Sequence, residues 1–446
     1  MDLMNNEKIK VYMDLVCTQI KFKDIHGNIK EELIDHMDGI VEENMEKGFS
    51  LEESIDIGIK HMGDPYILGK ELNKVHKPKP EWSILALTLI FTLIGISTIY
   101  ILSSSGLIPG WSTYGIMKNS ILMAIAGVGT IVVLYFFDYR KIKPFSKYLY
   151  IATSLLIIMG NIGGTENIFV RLGIFRVAMG RVLVFSTDLN YITPFLYAMA
   201  LSGIFSEERW QKNKIISNLI ILFLPIILTV AFQLSVVTPI IMYFTMVLAL
   251  IYVSGGSIKY ILGSIGAGAF VVVLSIFSQP HRIERVKNLL NPLRDPLGCG
   301  YMNVQLRKLI SSASLLGNRM NIDKTEIPIL DSPQMHTDFI FSSIIYAFGW
   351  LAGITIIVLS IVFFIRLIKT IKSVEDNYGR LLVATFSALF IIQFVYNILM
   401  ILGVAPLAGI SMPFISYGTT LNIVNMIMIG IISSVYRRKD IVNIDA

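Results

Sequence analysis

The chain has 446 residues, of which 54% are hydrophobic and only 16% are charged. With a mean hydropathy of +0.65, it is too apolar for an ordinary soluble protein and has the composition of a protein that crosses a membrane several times. The net charge of +6 is unevenly distributed: residues 1–80 contain 11 Lys and Arg against 16 Asp and Glu, whereas residues 81–446 contain 27 against 16. The sequence therefore predicts an acidic soluble head and a basic membrane body, and no nucleic-acid partner is expected.

The head is predicted to fold as short helices in the cytosol. Its first ten residues lack the apolar core of a signal peptide. Ser50 and Glu53 form a capping-box pattern behind Gly48, and Asp64 and Pro65 mark a second helix start.

The body contains ten apolar stretches that are predicted to be membrane spans. They cover residues 82–104, 117–137, 148–164, 190–206, 215–234, 236–254, 259–278, 339–365, 381–402 and 412–436. A polar loop, residues 279–338, separates the seventh span from the eighth, and loops of this length are usually functional or disordered. The predicted architecture is an all-α membrane protein with a head at 1–76, a linker at 77–81, a membrane domain at 82–436 and a tail at 437–446.

The placement of Lys and Arg predicts the orientation of these spans. With the head inside, the inner loops and tail hold fifteen basic residues: Arg140, Lys141, Lys143, Lys147, Arg209, Lys212, Lys214, Lys259, Arg366, Lys369, Lys372, Arg380, Arg437, Arg438 and Lys439. The short outer segments hold four: Lys118, Arg171, Arg176 and Arg181. This bias predicts that both termini are cytosolic and that the long loop lies outside. The two cysteines, Cys17 and Cys299, would then lie on opposite sides of the membrane, so no disulfide is expected.

Asp338 is a candidate catalytic residue because it lies where the long loop meets the eighth span. An ionisable group at a membrane mouth is costly to keep, and a carboxylate can take a proton as a general base. An aspartate at a helix start is also a common N-cap, so both interpretations are open at this stage. His336, two residues earlier, fits a hydrogen-bonding neighbour better than a metal ligand.

Basic residues are frequent in the long loop, which contains Arg282, Arg285, Lys287, Arg294, Arg307, Lys308, Arg319 and Lys324. The first three closely follow the seventh span, where guanidinium groups would suit bidentate capture of phosphate or diphosphate. A solvated charge run at the headgroup level is the alternative. Residues 302–316 have the mixed apolar pattern of a helix that lies in the interface or fills a cavity.

A run of turn-forming residues, 405–418, interrupts the chain between the last two spans. Irregular backbone at this depth is tolerated only where protein or a wet cavity covers it. The run is therefore expected to line a site, and Asn397 of the ninth span is expected to face the same interior.

Three sets of residues, in this order, resemble the SEDS family of bacterial membrane proteins, which includes FtsW, RodA and SpoVE. The first set is Asn291, Pro292, Asp295, Pro296, Leu297, Gly298, Gly300, Tyr301 and Gln305; the second is His336 to Phe341 with Gly349; the third is Asn397, Pro406, Gly409 and the run Met412 to Gly418. The match is clearest over residues 280–436. The head, through residues 31–36 and 62–65, resembles the small helical prefix of some bacterial permeases and of clostridial members of this family.

The resemblance implies a peptidoglycan glycosyltransferase that polymerises lipid II at the outer face of the cytoplasmic membrane, for elongation, division or sporulation. It implies a class B penicillin-binding transpeptidase as partner and Asp338 as the catalytic residue, which would deprotonate or orient the acceptor hydroxyl while undecaprenyl diphosphate leaves. The residues expected to bind substrate are Arg282, Arg285, Lys287, His336, Thr337, Asn397, Ser416 and Tyr417. A divalent cation is a further candidate for stabilising the diphosphate, although no ligand cluster in the sequence requires one.

The chain departs from the family pattern at several acidic positions. Ser235 stands where the family commonly has an aspartate, and Tyr346 and Ala347 stand where it commonly has paired glutamates. A SEDS-like scaffold or regulator of a transpeptidase therefore remains an alternative to an active polymerase. A transporter of lipid-linked substrates ranks third, because the spans are poor in interior charge.

Overall fold

The computed structural model describes residues 6–75, 77–78, 80–106, 112–161, 189–207, 210, 215–232, 237–277, 283–284, 287, 291, 293, 295–298, 300–317 and 333–439. All the regular structure within these ranges is helical. The chain divides into two compact units: the first contains the head, Val374–Asp376 and the chain from Tyr436 onward, and the second contains Glu81–Ser373 and Asn377–Val435.

The head forms four helices: α1 (Glu7–Thr18), α2 (His26–Glu46), α3 (Leu51–Met62) and α4 (Pro65–Val75). The predicted capping box is confirmed, because the Ser50 hydroxyl accepts from the Glu53 amide and the Glu53 carboxylate accepts from the Ser50 amide at 3.0 Å. Asp64 Oδ1 accepts from the Tyr66 amide at 2.7 Å, so the second predicted helix start is also confirmed. The apolar faces of these helices enclose one core that includes Ile9, Val16, Phe22, Ile29, Met37 and Ile55.

Within the described ranges the membrane unit contains two 3-10 helices, Tyr139–Phe145 and Pro333–His336, and twelve α-helices: α5 (Trp82–Ser104), α6 (Thr113–Phe136), α7 (Ser146–Asn161), α8 (Leu189–Phe205), α9 (Ile215–Phe232), α10 (Val237–Val253), α11 (Ile258–Phe277), α12 (Tyr301–Ser311), α13 (Ile340–Phe348), α14 (Trp350–Ser373), α15 (Asn377–Ile401) and α16 (Thr419–Arg437). Each predicted span has a helix at its position. In the part of the chain described, α5, α6, α14 and α15 are long and apolar enough to cross a membrane. The chain is thus an all-helical membrane protein. The helix predicted within 302–316 is present as α12.

Two predicted spans were wrong in detail. The eighth span, 339–365, is two helices, because Gly349 has a φ of 88° and a ψ of 171° and ends α13. The tenth span was predicted from residue 412, but α16 begins only at Thr419. Pro413 cannot supply the amide that a helix would need there, and Phe414 has a φ of 64°, outside the helical region.

The break at Gly349 is held by backbone contacts with the long loop. The amides of Trp350 and Leu351 donate to the carbonyls of Ser314 and Leu315, each at 3.2 Å. Gly317 also has a φ of 88°. A Cβ on Gly349 would lie 2.3 Å from the Leu315 carbonyl oxygen, and a Cβ on Gly317 would lie 2.4 Å from the carbonyl oxygen of Ala347. Only glycine allows the two backbones to approach this closely.

The Gly349→Ala variant is expected to be less stable by about 1–3 kcal/mol, because alanine is strained at this backbone conformation and its methyl group would clash. Thermal unfolding of the purified protein in detergent measures the change. Gly129→Ala in α6 is the matched control, since nothing lies within 4 Å of its Cβ position. Equal unfolding temperatures for the two variants would contradict the contact.

The carbonyl that a proline inside α9 leaves without a helical donor is bonded by a tyrosine from another helix. Pro225 has no amide hydrogen, so the carbonyl of Ile221, four residues earlier, loses its helical partner. The Tyr150 hydroxyl donates to that carbonyl at 2.9 Å, and the Tyr243 hydroxyl donates to the carbonyl of Leu222, also at 2.9 Å. The packing of α7 on α9 thus satisfies the carbonyl that the proline frees in an apolar environment, and α10 adds a bond to the next carbonyl along the helix.

Replacing Tyr150 with phenylalanine is expected to lower stability by about 0.6–1.7 kcal/mol, the range for interhelical hydrogen bonds in membranes. The Ile221 carbonyl would then lack this donor within an apolar part of the chain. Tyr148→Phe on the same helix is the control, because Tyr148 is 72% exposed. Detergent unfolding curves of the two variants test this, and a Tyr150 variant as stable as the control would show that the bond contributes nothing.

Candidate active site at the mouth of the membrane unit

The mouth segment, residues 405–418, connects α15 to α16 and is attached to α15 by side chains. The Tyr396 hydroxyl donates to the Pro406 carbonyl at 3.0 Å. The Asn397 side-chain amide donates to the Ile410 carbonyl at 2.7 Å and to the Asp338 carbonyl at 2.8 Å. Asn397 is fully buried, as its predicted inward orientation requires. One amide group therefore joins the mouth segment to the end of the long loop.

The Asp338 carboxylate accepts a hydrogen bond from the mouth segment. Ser411 Oγ donates to Asp338 Oδ1 at 2.6 Å, and the side chain is only partly buried. The N-cap residue of α13 is Phe339, without a side-chain cap, so the N-cap interpretation of Asp338 is not what the structure shows. The carboxylate is oriented by a hydroxyl on a residue that is only partly buried, which is compatible with a general base.

Thr337 and His336 are fixed to the other end of the mouth segment. Ser416 Oγ donates to the Thr337 carbonyl at 2.8 Å, and the Tyr417 amide donates to the His336 carbonyl at 2.8 Å. The His336 and Tyr417 rings lie 5.5 Å apart between centroids. Thus the structure brings together six of the predicted site residues: His336, Thr337, Asp338, Asn397, Ser416 and Tyr417.

The His336 side chain is nearly enclosed, with 7% of its surface exposed. Its Nδ1 atom has no hydrogen-bond partner among the described residues. Burial lowers the pKa of His336 below its ordinary value, so the imidazole is neutral at neutral pH. A neutral imidazole has one donor and one acceptor nitrogen, which suits a hydroxyl or amide of a substrate better than it suits a diphosphate.

The predicted basic cluster is only partly described. Lys287 Nζ pairs with Glu284 Oε1 at 2.9 Å, and both side chains are more than 40% exposed. Arg282 and Arg285 lie outside the described residues, so their grouping with Asp338 stays a prediction. Arg307 of α12 lies beside the mouth: a Cβ on Gly403, just after α15, would be 3.5 Å from its Nε atom. The sequence identified Arg307 as one loop cation among eight but did not select it.

Sequence reasoning also missed Ser411, the partner of the Asp338 carboxylate. The sequence feature that could have identified Ser411 is its position within the turn-rich run 405–418. Two of the positions at which this chain lacks an acidic residue of the family pattern are buried: Tyr346 and Ala347 in α13 are 4% and 7% exposed. The third, Ser235, lies outside the described residues. Within the described ranges, no group of three or more His, Cys, Asp or Glu side chains comes together to hold a metal ion.

An apolar groove borders the C-terminal part of the mouth segment. Its lining is mainly apolar and comes from Thr92, Gly95, Ile96, Ile99, Ser120, Met123, Ala124, Phe414, Ile415, Ser416, Tyr417, Gly418, Asn422 and Met426. Gly95 allows α5 to approach closely, because a Cβ there would lie 2.5 Å from the Ile415 carbonyl oxygen. Ser416 and Tyr417 therefore line the groove and also bond to the backbone of Thr337 and His336.

Comparison with known proteins places the membrane unit among proteins of the cell cycle. A family profile for FtsW, RodA and SpoVE, described as cell cycle protein, matches residues 80–441. The chain is 28% identical over 377 residues to stage V sporulation protein E of Bacillus subtilis (strain 168), covering 81% of this chain and 98% of that protein. It is 27% identical over 362 residues to peptidoglycan glycosyltransferase MrdB of Escherichia coli (strain K12), covering 79% of this chain and 93% of that protein.

Two solved structures share the fold. One is from a study of how a peptidoglycan synthase complex coordinates polymerization and crosslinking; its matching chain has a TM-score of 0.62 and 19% identity, over 81% of this chain and 98% of that one. The other is the rod shape determining protein RodA of Thermus thermophilus, with a TM-score of 0.56 and 16% identity, over the same shares of the two chains. These matches cover the membrane unit and nearly the whole of each related chain.

Proposed function

Because the chain belongs to the FtsW, RodA and SpoVE family, we propose that it is a peptidoglycan glycosyltransferase that polymerises lipid II. The observation that carries this proposal is the Asp338 carboxylate, held by Ser411 at 2.6 Å at the mouth of a helical membrane unit. Several relatives, MrdB among them, are named peptidoglycan glycosyltransferases.

In the proposed reaction, a sugar hydroxyl of the acceptor lipid II attacks the anomeric carbon of the growing chain. Asp338 takes the hydroxyl proton as the new glycosidic bond forms, and the bond to undecaprenyl diphosphate breaks. The Ser411 hydroxyl orients the carboxylate. Asn397 holds the backbone of both partners, because it donates to the carbonyl of Asp338 and to the carbonyl of Ile410, the residue before Ser411. Arg307 at the rim, with Arg282, Arg285 and Lys287, would stabilise the charge that develops on the diphosphate.

The apolar groove behind the mouth segment supports a lipid-linked substrate. Its apolar lining suits a hydrocarbon chain, and Ser416 and Tyr417 supply polar groups at one edge. A polyprenyl chain lying along it would place its diphosphate beside Ser416 and Tyr417, which bond to the backbone next to Asp338.

We further propose that the head and tail are cytosolic and that the mouth faces outward, as the distribution of basic residues predicts. The expected partner is a class B penicillin-binding transpeptidase in the same membrane. One related structure comes from a complex that couples polymerization to crosslinking, which is consistent with such a partner.

The experiment is gel analysis of glycan strands made from labelled lipid II by the purified protein, with and without a coexpressed transpeptidase. Strands longer than the disaccharide unit are expected, and a parallel reaction with EDTA tests dependence on a divalent cation. If the protein makes no glycan strands with any partner, yet its gene is needed for normal cell shape, division or sporulation, it is instead a scaffold.

A further inference from the structure

The head is an addition to the family body. The family profile begins at residue 80, so the four head helices precede the matched region. The first compact unit nevertheless contains more than the head, because it includes Val374–Asp376 and the chain from Tyr436 onward. The sequence had assigned residues 437–446 to a separate tail.

Two consecutive arginines of this tail, Arg437 and Arg438, contact residues of the head. Arg438 Nε donates to Asp24 Oδ2 at 2.8 Å, and the Arg438 side chain is only 3% exposed. The Arg437 guanidinium lies 5.3 Å from the centroid of the Phe22 ring, and Phe22 belongs to the head core. A buried guanidinium that pairs with a carboxylate is held in place, because removing one partner of such a pair is destabilising. We call these four residues the clasp.

The segments held in the head unit are continuous with the helices that build the mouth. Val374–Asp376 connects α14 to α15, and α15 carries Asn397 at its other end, bonded to the Asp338 carbonyl. The tail continues α16, which begins directly after the mouth segment. Rigid secondary-structure elements are one of the physical routes by which coupling passes between distant sites.

We propose that the head is a regulatory domain that acts on the Asp338 site through α16, with the clasp attaching the head to the C-terminal end of that helix. When the clasp is closed, the C-terminal end of α16 is fixed and the mouth segment keeps its bonds to residues 336–338. When it opens, that end is released and the mouth segment loosens. The proposal uses the proposed function for its activity measurement, but the coupling itself is measured independently of activity.

The test is hydrogen exchange followed by mass spectrometry on the full-length protein in lipid nanodiscs. Asp24→Asn removes the charge of the ion pair at nearly constant shape, and Phe22→Leu removes the ring beneath Arg437. Asp56→Asn is the matched control, since Asp56 forms a head ion pair with Lys8 whose side chains are 59% and 52% exposed. Both clasp variants are expected to speed exchange in residues 411–418 by at least about fivefold, the lower range of allosteric coupling, and the control is expected to leave it unchanged.

Faster exchange confined to residues 436–439 and the head would overturn the proposal, because the clasp would then only anchor the head. Unchanged exchange at 436–439 in both variants would overturn it as well, because the clasp would not be holding the tail. In the same preparations, glycan synthesis is expected to change by at least about fivefold in the clasp variants. Absence of glycan in the parent protein would contradict the proposed function alone, since the exchange experiment would still decide the coupling.

Discussion

The Asp338→Asn variant is expected to lose glycan synthesis from lipid II by about 10²–10⁴-fold, the contribution of a positioned general base. Asparagine keeps an oxygen that can accept from Ser411, so the bond that orients residue 338 can persist. It cannot take a proton from the attacking hydroxyl. The measurement is the initial rate of strand formation, together with thermal unfolding of the same preparation, which is expected to be unchanged.

The control for this variant is Asp295→Asn in the long loop. Asp295 Oδ1 accepts from the Gly298 amide at 3.0 Å in an exposed turn, and asparagine makes the same turn. Its rate is expected to equal that of the parent. Parental activity in Asp338→Asn would show that the carboxylate is not the base, and loss of activity in both variants would show that the assay reports general damage.

Asn397→Leu is expected to have the second largest effect, because one amide serves two carbonyls, a buried one on Ile410 and a partly buried one on Asp338. Its removal leaves the carbonyls of Asp338 and Ile410 without this donor, at a cost of about 2–4 kcal/mol for two unsatisfied groups. The mouth segment would shift relative to the loop, and a displacement of reacting groups by an ångström lowers rates by about 10²-fold. Both the unfolding temperature and the polymerisation rate should fall.

The matched control lies one turn earlier on the same helix. Gln393 is also fully buried, but its side-chain nitrogen donates to the Leu389 carbonyl of its own helix at 3.0 Å. Gln393→Leu is expected to change stability by less than about 1 kcal/mol, since one local bond is lost and the helix remains. If the two variants behaved alike, Asn397 would be a core residue without a special role in the site.

The sequence predicted a helix at the position of each apolar run, because such runs need no tertiary information to recognise. It also predicted that Asn397 faces inward, since a polar side chain in a span must find partners. The carboxylate and its neighbours at 336–338 were selected by their motif. These features are local in the sequence.

The features that were missed depend on residues far apart in the chain. Ser411 and Asp338 are 73 residues apart, and nothing in either neighbourhood specifies their hydrogen bond. The break at Gly349 was not predicted because a single glycine in an apolar run is usually tolerated within a helix. Only its contact with Gly317, seen in the folded chain, requires the positive φ.

That contact has a consequence for how related chains should vary. The long loop meets the break through main-chain atoms, namely the carbonyls of Ser314 and Leu315 and the amides of Trp350 and Leu351. Since every residue type has these atoms, the side chains at 313–316 are free to diverge. Positions 317 and 349 should instead be retained or lost together, because a methyl group at either one would push the two backbones apart.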